Sequence, residues 1–462
     1  MKDHYDIAVI GAGPAGMSAA SLAADHRASV VLFDEQPSLG GQIYRDITRQ
    51  RAADTAILGA QYYHGKILAK RLAASAVEHI SSASVWHVSA EQEIGVTVDD
   101  EVAHLITADH IIIATGAQER PFPVPGWTFP GVMNVGAAQI LLKSSGILLP
   151  NPVFVGTGPL LYLIAHQYLR AGGKIAGLLD TTPRSNLRAA VRHLPAAYGQ
   201  AEQLWKGWRW LRDLRKSGIP FIRAVEDVRI IGTKLAEGIE YKANGSWQHL
   251  ATETVLLHQG VVPNVNLAMA AGCAHQWNDT QLCWHAEVDK LGHSSVEGVS
   301  IAGDGAGITG ADGAETLGAL AAIGALTRLA KIDRNACIKL ARPLHRIQSR
   351  RAPFRRFLDT LYQPAAQFRL PVDDTTLVCR CEEVTAGDIR AAIRLGCSGP
   401  NQLKSFTRAG MGPCQARLCG LTVSAMIADE LNQPVAQVGA GRLRAPVKPL
   451  ELAHLAALCD PE

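Results

Sequence analysis

Four cysteines near the C-terminus have the residue type and the spacing of a metal site. Cys379 and Cys381 form a Cys-x-Cys pair, and after thirty-two intervening residues Cys414 and Cys419 form a Cys-x4-Cys pair. The Gly- and Pro-rich segment 409–413 precedes the second pair, so backbone amides can approach the sulfur atoms and donate hydrogen bonds to them. Four thiolates suit an iron–sulfur cluster or a structural zinc ion, and a vestigial site is the third alternative.

A glycine motif at the N-terminus has the spacing of a phosphate-binding loop. The segments that we expect there are an apolar strand at 6–10, the loop Gly11-Ala12-Gly13-Pro14-Ala15-Gly16, a helix at 17–25 and a strand at 28–33 that ends in Asp34 and Glu35. This is the order of a dinucleotide-binding domain, in which the pyrophosphate lies on the helix N-terminus. Either acid can bind the ribose hydroxyls. The spacing slightly favours Glu35, and the alternative is that one acid only faces water.

Three further motifs indicate which dinucleotide is bound. They are Leu39-Gly40-Gly41-Gln42, the strand and turn at 111–116, and the strand 299–301 followed by Gly303-Asp304. The set resembles the flavoprotein family of glutathione and thioredoxin reductases, which has two dinucleotide-binding domains. The resemblance implies FAD, with Gln42 near the flavin and Asp304 on the ribityl chain. The plainer alternatives are that Gly40-Gly41 is only a turn and that Asp304 only caps the next helix.

The same resemblance implies a set of FAD-contacting residues. These are Gly11, Gly13, Pro14, Ala15, Gly16, Asp34, Glu35, Gln36, Gly41, Gln42, Val85, Ala114, Thr115, Gly116, Gly303 and Asp304. Disulfide reductases of that family also carry a redox-active cysteine pair near the flavin. Residues 35–272 contain no cysteine, so we do not expect disulfide reduction by that mechanism.

A second strand and glycine loop follow at 152–161, with Gly156 and Gly158 in the loop. In the resembled family this domain binds NAD(P)H. Here Leu161 occupies the position of the third glycine, where a side chain would push the helix away or fill cofactor space. We expect a Rossmann-like domain with a degenerate NAD(P) site that another nucleotide could still use. Asp180, after the strand expected at 174–179, binds a ribose or merely ends the strand.

Three other segments carry residues with chemical potential and a plainer alternative each. His258 follows an apolar strand and is either catalytic or, by the more common reading, a hydrogen-bonded interior group. The expected helix 203–215 mixes Trp205, Trp208 and Trp210 with basic residues, which suits packing on the domain beneath or docking a partner. Residues 342–356 hold six arginines, as a solvated face or a docking site for an acidic partner or phosphate.

The overall composition excludes several classes of protein. The chain has 462 residues, enough for two or three domains, and a net charge of +3, which gives no chain-wide field for nucleic acid or membranes. No apolar run is long enough for a membrane helix and no signal-peptide pattern precedes the first strand, so we expect a cytoplasmic protein. The remaining cysteines should be buried thiols, with Cys397 the one that could be mistaken for a ligand. They are Cys273, Cys283, Cys337, Cys397 and Cys459.

The C-terminal segment that holds the cysteine quartet resembles the small [2Fe-2S] domain of bacterioferritin-associated ferredoxin. It begins near residue 373, with expected helices at 386–395 and 417–431. The Cys-x-Cys and Cys-x4-Cys arrangement is similar to the version of this domain that is appended to flavoprotein dehydrogenases. The resemblance implies that Cys379, Cys381, Cys414 and Cys419 all ligate a [2Fe-2S] cluster.

The order of motifs along the whole chain resembles the alpha subunits of heteromeric opine and amino-acid dehydrogenases, a family that includes D-hydroxyproline dehydrogenase and hydrogen cyanide synthase. The motifs that carry this likeness are 34–45, 115–121 and 409–419. It implies an electron-transfer subunit with FAD and [2Fe-2S]. A partner FAD subunit similar to D-amino-acid oxidases would oxidise the C–N bond of an opine or imino acid such as nopaline, octopine or D-hydroxyproline.

Further expectations follow from this likeness. They are an additional partner in the form of a small gamma subunit, an FMN at a subunit interface and a hetero-oligomeric assembly. The alternative is a self-contained NAD(P)H-dependent flavoprotein reductase. The expected domains are an FAD domain at 1–145 and 266–335, a degenerate NAD(P)-like domain at 146–265, a basic connector at 336–372, the [2Fe-2S] domain at 373–432 and a tail at 433–462.

Overall fold

A computed structural model describes residues 1–49 and 55–458 of the chain. Its strands, in chain order, are β1 His4–Ile10, β2 Val30–Phe33, β3 Glu78–Ile80, β4 Ala83–Val88, β5 Glu93–Val98, β6 Val102–Ile113, β7 Ala117–Glu119, β8 Val132–Asn134, β9 Val153–Thr157, β10 Gly177–Asp180, β11 Phe221–Arg223, β12 Asp227–Gly232, β13 Ala236–Ala243, β14 Ser246–Ala251, β15 Val255–Gln259, β16 Val261–Pro263, β17 His275–Asn278, β18 Cys283–Ala286, β19 Val299–Ile301, β20 Leu377–Cys379 and β21 Val384–Thr385.

The helices pack on both faces of the sheets and form most of the C-terminal region. They are α1 Pro14–Asp25, α2 Thr55–Leu58, α3 Ala60–Tyr63, α4 Gly65–Ala73, α5 Val135–Ser145, α6 Pro159–Arg170, α7 Arg184–Val191, α8 Leu194–Ala197, α9 Ala201–Lys216, α10 Asn266–Ala270, α11 Ala311–Arg328, α12 Arg334–Leu361, α13 Ala386–Arg394, α14 Pro400–Thr407, α15 Gly420–Glu430, α16 Val435–Val438 and α17 Leu452–Ala457. Among these described helices, none is both long and apolar enough to cross a membrane.

The first sheet has the strand order β3-β2-β1-β6-β5-β4, with β19 paired to the end of β6. The pairs among β3, β2, β1, β6 and β19 are parallel, whereas β4, β5 and the first half of β6 form an antiparallel meander. Successive residues of a strand point to opposite faces, and in β1 both sets are buried. Ile7 and Val9 pack under α1 and α11, whereas Ala8 and Ile10 face the meander. That arrangement explains the uninterrupted apolar run at 7–10.

The second sheet is entirely parallel, in the order β11-β10-β9-β15-β8. The helices α5 and α6 cover one face, and the antiparallel sheet β12-β13-β14 covers the other through Val228, Ile239 and Tyr241. The sequence predicts strands at 28–33 and 174–179, whereas the observed strands begin later, at Val30 and Gly177. Periodicity locates an element well, but the hydrogen-bond ladder decides its first residue.

The chain passes from the first sheet to the second through β7 and returns through β16. These two strands pair as a short antiparallel ribbon. Strand β8 and helix α5 come before residue 146, yet β8 pairs with β15 in the second sheet. The expected boundary at 145/146 is therefore too late along the chain, because it separates β8 from the sheet in which β8 pairs. Domain boundaries fall where few contacts cross. We propose instead that the second domain extends from about β7 to β16, and the remaining boundaries stay predictions.

The C-terminal region has its own core. Helices α13, α14 and α15 surround Val378, Ile389, Leu403 and Ile427, all of which are buried. Thr385 caps α13 reciprocally with Asp388, and this capping box starts the helix where the sequence predicts it. The stretch expected as a connector is mostly the single helix α12, which packs on α11 at one end and on α7 and α8 further along.

Candidate functional site

A cavity of about 760 Å³ lies where the carboxyl ends of β1, β2 and β6 face the second sheet. Ligands of open parallel sheets bind at such carboxyl edges. The structure brings the expected FAD-contacting residues to this cavity, and all of them line it except Gly16 and Gly303. Those two glycines serve close packing instead. A Cβ on Gly16 would lie 1.8 Å from the Gly11 carbonyl oxygen, and one on Gly303 would lie 2.7 Å from the Ala15 Cβ.

The glycine loop leaves room for a phosphate beside the N-terminus of α1. Gly11 has a φ of +105°, and a Cβ there would lie 2.5 Å from the carbonyl oxygen of Ala114. Gly41 approaches Gly13 so closely that its Cβ would be 2.8 Å from the Gly13 Cα. The first turn of α1 carries no side-chain cap and no acidic residue, so its amides remain available to an anion.

The two acids after β2 are used differently. Asp34 is buried; its Oδ2 accepts a hydrogen bond from the Ala12 amide and its Oδ1 one from the Gln36 amide at 2.7 Å. Glu35 is half-exposed and forms an ion pair with Lys448. Asp34 therefore stabilises the glycine loop from within, whereas the carboxylate of Glu35 is the more accessible of the two. Both side chains line the cavity.

Asp304 anchors the turn that precedes α11 and also lines the cavity, while its contact with a ribityl chain stays a prediction. Its Oδ1 accepts hydrogen bonds from the amides of Thr309 at 2.7 Å and Gly310 at 3.0 Å, which lie just before α11. The same side chain lines the cavity. On the opposite side, the hydroxyl of Thr115 donates to the Asn264 carbonyl oxygen at 3.1 Å and so joins the end of the first sheet to the returning chain.

Lys143 is a buried group that the sequence analysis missed. Its ammonium donates to the carbonyl oxygens of Gln42 at 3.2 Å and Ile43 at 2.8 Å, and to Oε1 of Gln139 at 2.9 Å. Burial lowers the pKa of Lys143 to about 7. The lysine on α5 thus holds the loop that carries Gln42. The signal available in the sequence was a Gln and a Lys four residues apart in an otherwise apolar helix.

His258 and Glu119 meet in the cavity wall between the two sheets. Nδ1 of His258 lies 3.4 Å from Oε2 of Glu119, and the other carboxylate oxygen accepts a hydrogen bond from the Gly136 amide. Both side chains are largely buried and line the cavity. The histidine is therefore a buried group with an acidic neighbour, and its Nδ1 makes no hydrogen bond among the described residues. It also lines the cavity, so the catalytic and the hydrogen-bonded interior readings both stay predictions.

The second glycine loop keeps the turn and has a buried leucine at the third position of the motif. A Cβ on Gly156 would lie 1.7 Å from the His258 carbonyl oxygen, which parallels Gly11 against Ala114. Leu161 is fully buried in the core and does not line the cavity, so the idea that it fills cofactor space is wrong. Asp180 is also buried, accepts from the Thr182 amide at 2.9 Å and lies outside the cavity lining; burial raises its pKa.

The cysteine quartet comes together as two pairs. Cys419 donates a hydrogen bond to Cys379, which lowers the pKa of Cys379 to about 6 and raises that of Cys419. Cys381 and Cys414 form the second pair, and burial raises the pKa of Cys414. The Gly410 amide donates to the sulfur of Cys379 at 3.5 Å. Across residues 1–49 and 55–458, no group of three or more His, Cys, Asp or Glu is arranged as a site for one metal ion.

The other described cysteines lie outside the quartet, although Cys397 shares a core with Cys379 and Cys419. Cys273, Cys283, Cys337 and Cys397 are buried free thiols, as expected. The sulfur of Cys397 donates to the Gly399 carbonyl oxygen at 3.4 Å. The expectation for Cys459 falls outside the described residues.

The quartet region docks directly on the cavity-bearing part of the molecule. The side-chain amide of Gln118 donates to the carbonyl oxygen of Arg417 at 3.0 Å, and that of Asn266 to the carbonyl oxygen of Gln415 at 2.7 Å. The indole of Trp127 donates to the Leu377 carbonyl oxygen at 2.7 Å. Arg417, which lies between Cys414 and Cys419 in the chain, lines the cavity itself. The loop 414–419 and the cavity therefore share a wall.

The basic and tryptophan-rich segments have mixed environments. Helix α9 packs through the fully buried Leu214, while Trp205 and Trp208 are more than half exposed and Trp210 lines the cavity. In α12, Arg355 forms an ion pair with Asp359, and both line the cavity together with Gln281, whose amide donates to Asp359 at 3.0 Å. The end of the arginine run thus belongs to the cavity wall rather than to a docking surface.

Comparison with known proteins explains this combination of parts. The Pyridine nucleotide-disulphide oxidoreductase family matches residues 5–321, and the Sarcosine oxidase A3 domain matches residues 373–458. The A subunit of the opine oxidase from Rhizobium meliloti is 44% identical over 467 residues, covering 99% of this chain and 88% of its own length. The chain belongs to the pyridine nucleotide-disulphide oxidoreductases and, among them, to the family of the opine oxidase A subunits.

More distant relatives agree with this assignment. The hydrogen cyanide synthase subunit HcnB of Pseudomonas aeruginosa is 32% identical over 428 residues, covering 89% of this chain and 90% of its own. The crystal structure of L-proline dehydrogenase from P. horikoshii has a TM-score of 0.72 at 17% identity, covering 98% of this chain and 79% of that one. Thioredoxin reductase from T. acidophilum has a TM-score of 0.52 at 20% identity, covering 71% of this chain and all of its own.

These matches confirm the two-dinucleotide-domain flavoprotein fold, the resemblance to heteromeric alpha subunits and the assignment as an oxidoreductase. They also support FAD as the cofactor of the first site. The role of each cavity residue, the cluster and the substrate remain predictions.

Proposed function

We propose that this chain is the FAD- and [2Fe-2S]-containing electron-transfer subunit of a heteromeric oxidase. The substrate would be an opine or imino acid such as nopaline, octopine or D-hydroxyproline, oxidised at its C–N bond on a partner flavin subunit. The observation that carries the proposal is the shared wall, in which Arg417 of the cysteine loop lines the dinucleotide cavity. When bound, FAD and the cluster would supply one- and two-electron chemistry between the partner and an acceptor.

FAD fits the residues of the first site. The open amides at the start of α1 and the glycine pair Gly13 and Gly41 would hold the pyrophosphate, and a Cβ on Gly41 would clash with Gly13 there. The accessible carboxylate of Glu35 would accept hydrogen bonds from the ribose hydroxyls, with Asp34 holding the loop in shape. Asp304 would face the ribityl chain, and Lys143 would keep Gln42 near the flavin.

A [2Fe-2S] cluster fits the donor set better than a single zinc ion. Four thiols in two pairs match the two irons of such a cluster, each of which takes two cysteines. Gly412 passes so close to Cys381 that a Cβ there would lie 2.3 Å from the Cys381 Cβ, so only glycine leaves room beside the sulfur. Cys379, Cys381, Cys414 and Cys419 would be the ligands.

A partner subunit is part of this proposal because the relatives that match along most of the chain are named as subunits. We propose a beta subunit similar to D-amino-acid oxidases, and an additional small gamma subunit in the assembly. An FMN at the subunit interface and a nucleotide in the second glycine loop are the two further cofactors that the assembly could hold.

Purification of the chain with and without its co-expressed partner tests the relay. We expect the isolated chain to contain flavin with iron and acid-labile sulfide in equal amounts, and its flavin to be reduced by an opine or imino acid only when the partner is present. Replacing Cys414 with Ser should remove the cluster absorbance. Zinc without iron in the purified protein would rule out the relay.

The alternative is a self-contained NAD(P)H-dependent reductase. One observation favours it: Gly158, Pro159 and Leu160, at the N-terminus of α6, open into the same cavity as the first site. Stopped-flow mixing with NADH and NADPH decides between the two. Rapid bleaching of the flavin without a partner would support the reductase, and slow or absent bleaching is what the relay predicts.

A further inference from the structure

Residues 445–448, here called the C-terminal strap, cross back from the cysteine region to the first sheet. Val447 is 1% exposed and packs in the same core as Phe33 and Val85. Its amide donates to the carbonyl oxygen of Trp86 at 2.9 Å, on the outer strand of the meander. The strap is therefore a built part of the first domain, although it follows the cysteine quartet in the chain.

Lys448 extends the strap into the cavity beside the two acids. Its ammonium forms an ion pair with Glu35. Burial lowers the pKa of Lys448, and the charge of Asp34 opposes this effect. Val447, Lys448, Asp34, Glu35 and Val85 all line this end of the cavity. These are the acids and the strand that a dinucleotide-binding domain presents to the adenosine half of its ligand.

Arg417 ties the strap to the cysteine loop. Its Nη1 donates to the carbonyl oxygen of Cys414 at 3.2 Å, and both terminal nitrogens donate to that of Val447 at 3.2 Å. A planar guanidinium that bridges two carbonyl oxygens fixes their separation better than a single point charge does. The position of the strap therefore depends on the position of Cys414.

We propose that the C-terminal strap forms one wall of the adenosine pocket, with Lys448 as a binding residue for the adenosine diphosphate half of FAD and Arg417 as the positioning residue that holds the strap to the cysteine loop. The inference rests on the proposed FAD site and adds to it a segment that comes from the other end of the chain. It makes FAD affinity depend on order in the loop 414–419.

The first test measures two ligands on the flavin-depleted full-length chain. ADP carries the adenosine diphosphate half alone, whereas FAD carries both halves. Lys448→Met keeps the apolar stem and removes the charge that lies beside the carboxylates of Glu35 and Asp34. We expect Kd to rise about tenfold for FAD and by the same factor for ADP. The exposed Lys290→Met is the matched control and should leave both constants unchanged.

The outcomes separate this inference from the proposed function. A wild-type chain that binds FAD and ADP, with both constants unchanged in Lys448→Met, would overturn the strap as a wall of the pocket. A tenfold loss for FAD but none for ADP would also overturn it, because Lys448 would then act on the flavin half. A wild-type chain that binds neither ligand would overturn the proposed FAD site itself, and this inference with it.

The second test compares two arginines, each of which lies between two quartet cysteines in the chain. Arg417 bridges the loop and the strap, whereas Arg380 between Cys379 and Cys381 is exposed and makes no side-chain hydrogen bond within residues 1–49 and 55–458. Arg417→Ala should weaken FAD and ADP binding by equal factors and make the strap sensitive to protease. Arg417→Lys should restore part of the affinity, and Arg380→Ala should match wild type. Equal affinities for Arg417→Ala and Arg380→Ala would overturn the positioning role.

Discussion

The two glycine loops of this chain have the same backbone turn and different helix packing. In both, the first glycine sits under the carbonyl oxygen of a neighbouring strand, Gly11 under Ala114 and Gly156 under His258. They differ at the third position of the motif. Gly16 lets α1 lie against the loop, whereas Leu161 fills the same position in the second loop with a fully buried side chain.

The difference shows that the residues that shape the turn are not the same as those that form the binding site. The tight turn needs only the first two glycines, since both loops have them. Close approach of the helix, and with it a cradle for pyrophosphate, needs the third. The acids after the second strands follow the same division, because Asp34 lines the cavity and Asp180 lies outside it.

Converting the first loop into the second should have the largest effect. In Gly16→Leu, the side chain would start 1.8 Å from the Gly11 carbonyl oxygen, so α1 must move away from the loop. We expect FAD affinity to fall by more than about a hundredfold, measured as flavin retained and by titration of the apoprotein. Gly207→Leu on α9, where an added Cβ meets open space, is the control. A Gly16→Leu protein that purifies with a full complement of flavin would contradict the comparison.

Trimming Leu161 should affect stability and spare the flavin. Leu161→Ala removes a fully buried side chain, and such changes lower the free energy of unfolding by about 2–5 kcal/mol. Leu160, its partly exposed neighbour in the cavity wall, gives a matched control that should lose much less. Urea unfolding gives both values. Loss of FAD in Leu161→Ala, with little loss of stability, would mean that the leucine belongs to a site after all.

Local sequence patterns were sufficient to locate the residues of this site that lie beside strand ends. Gly11 to Gly16, Asp34 and Asp304 lie next to strand ends in the chain, and the periodicity of their neighbours locates those ends. The sequence could not predict the pairing of Glu35 with Lys448, because a contact between distant segments leaves no local pattern. The expected boundary at 145/146 was misplaced for the same reason, since only the pairing of β8 with β15 assigns β8 to the second sheet.

Lys143 connects the two regions that carry the glycine loops. It lies on α5 over the second sheet, and it holds the Gln42 loop of the first site. Burial lowers its pKa from 10.5 to about 7, so between these values the unfolded chain binds more protons than the folded one. Stability should therefore rise with pH above 7. We expect Lys143→Met to remove up to about 2 kcal/mol of that rise between pH 7 and 9, measured by denaturant unfolding at both values. The exposed Lys174→Met should keep the wild-type slope, and a retained slope in Lys143→Met would contradict the assignment.

The smallest expected effect distinguishes the two acids. Burial raises the pKa of Asp180 above its usual value of 3.8, so the folded state holds its proton more tightly than the unfolded chain. The stability that this provides is present at low pH and is lost as the pH rises from about 4 through the folded pKa. Asp180→Asn stays neutral and keeps the oxygen that accepts from Thr182, so it should lose less stability than the wild type over that range and leave FAD bound. Asp34→Asn should instead weaken FAD binding, because one amide oxygen cannot accept from both Ala12 and Gln36. Equal effects of the two variants on FAD would show that the second acid, like the first, still belongs to a nucleotide site.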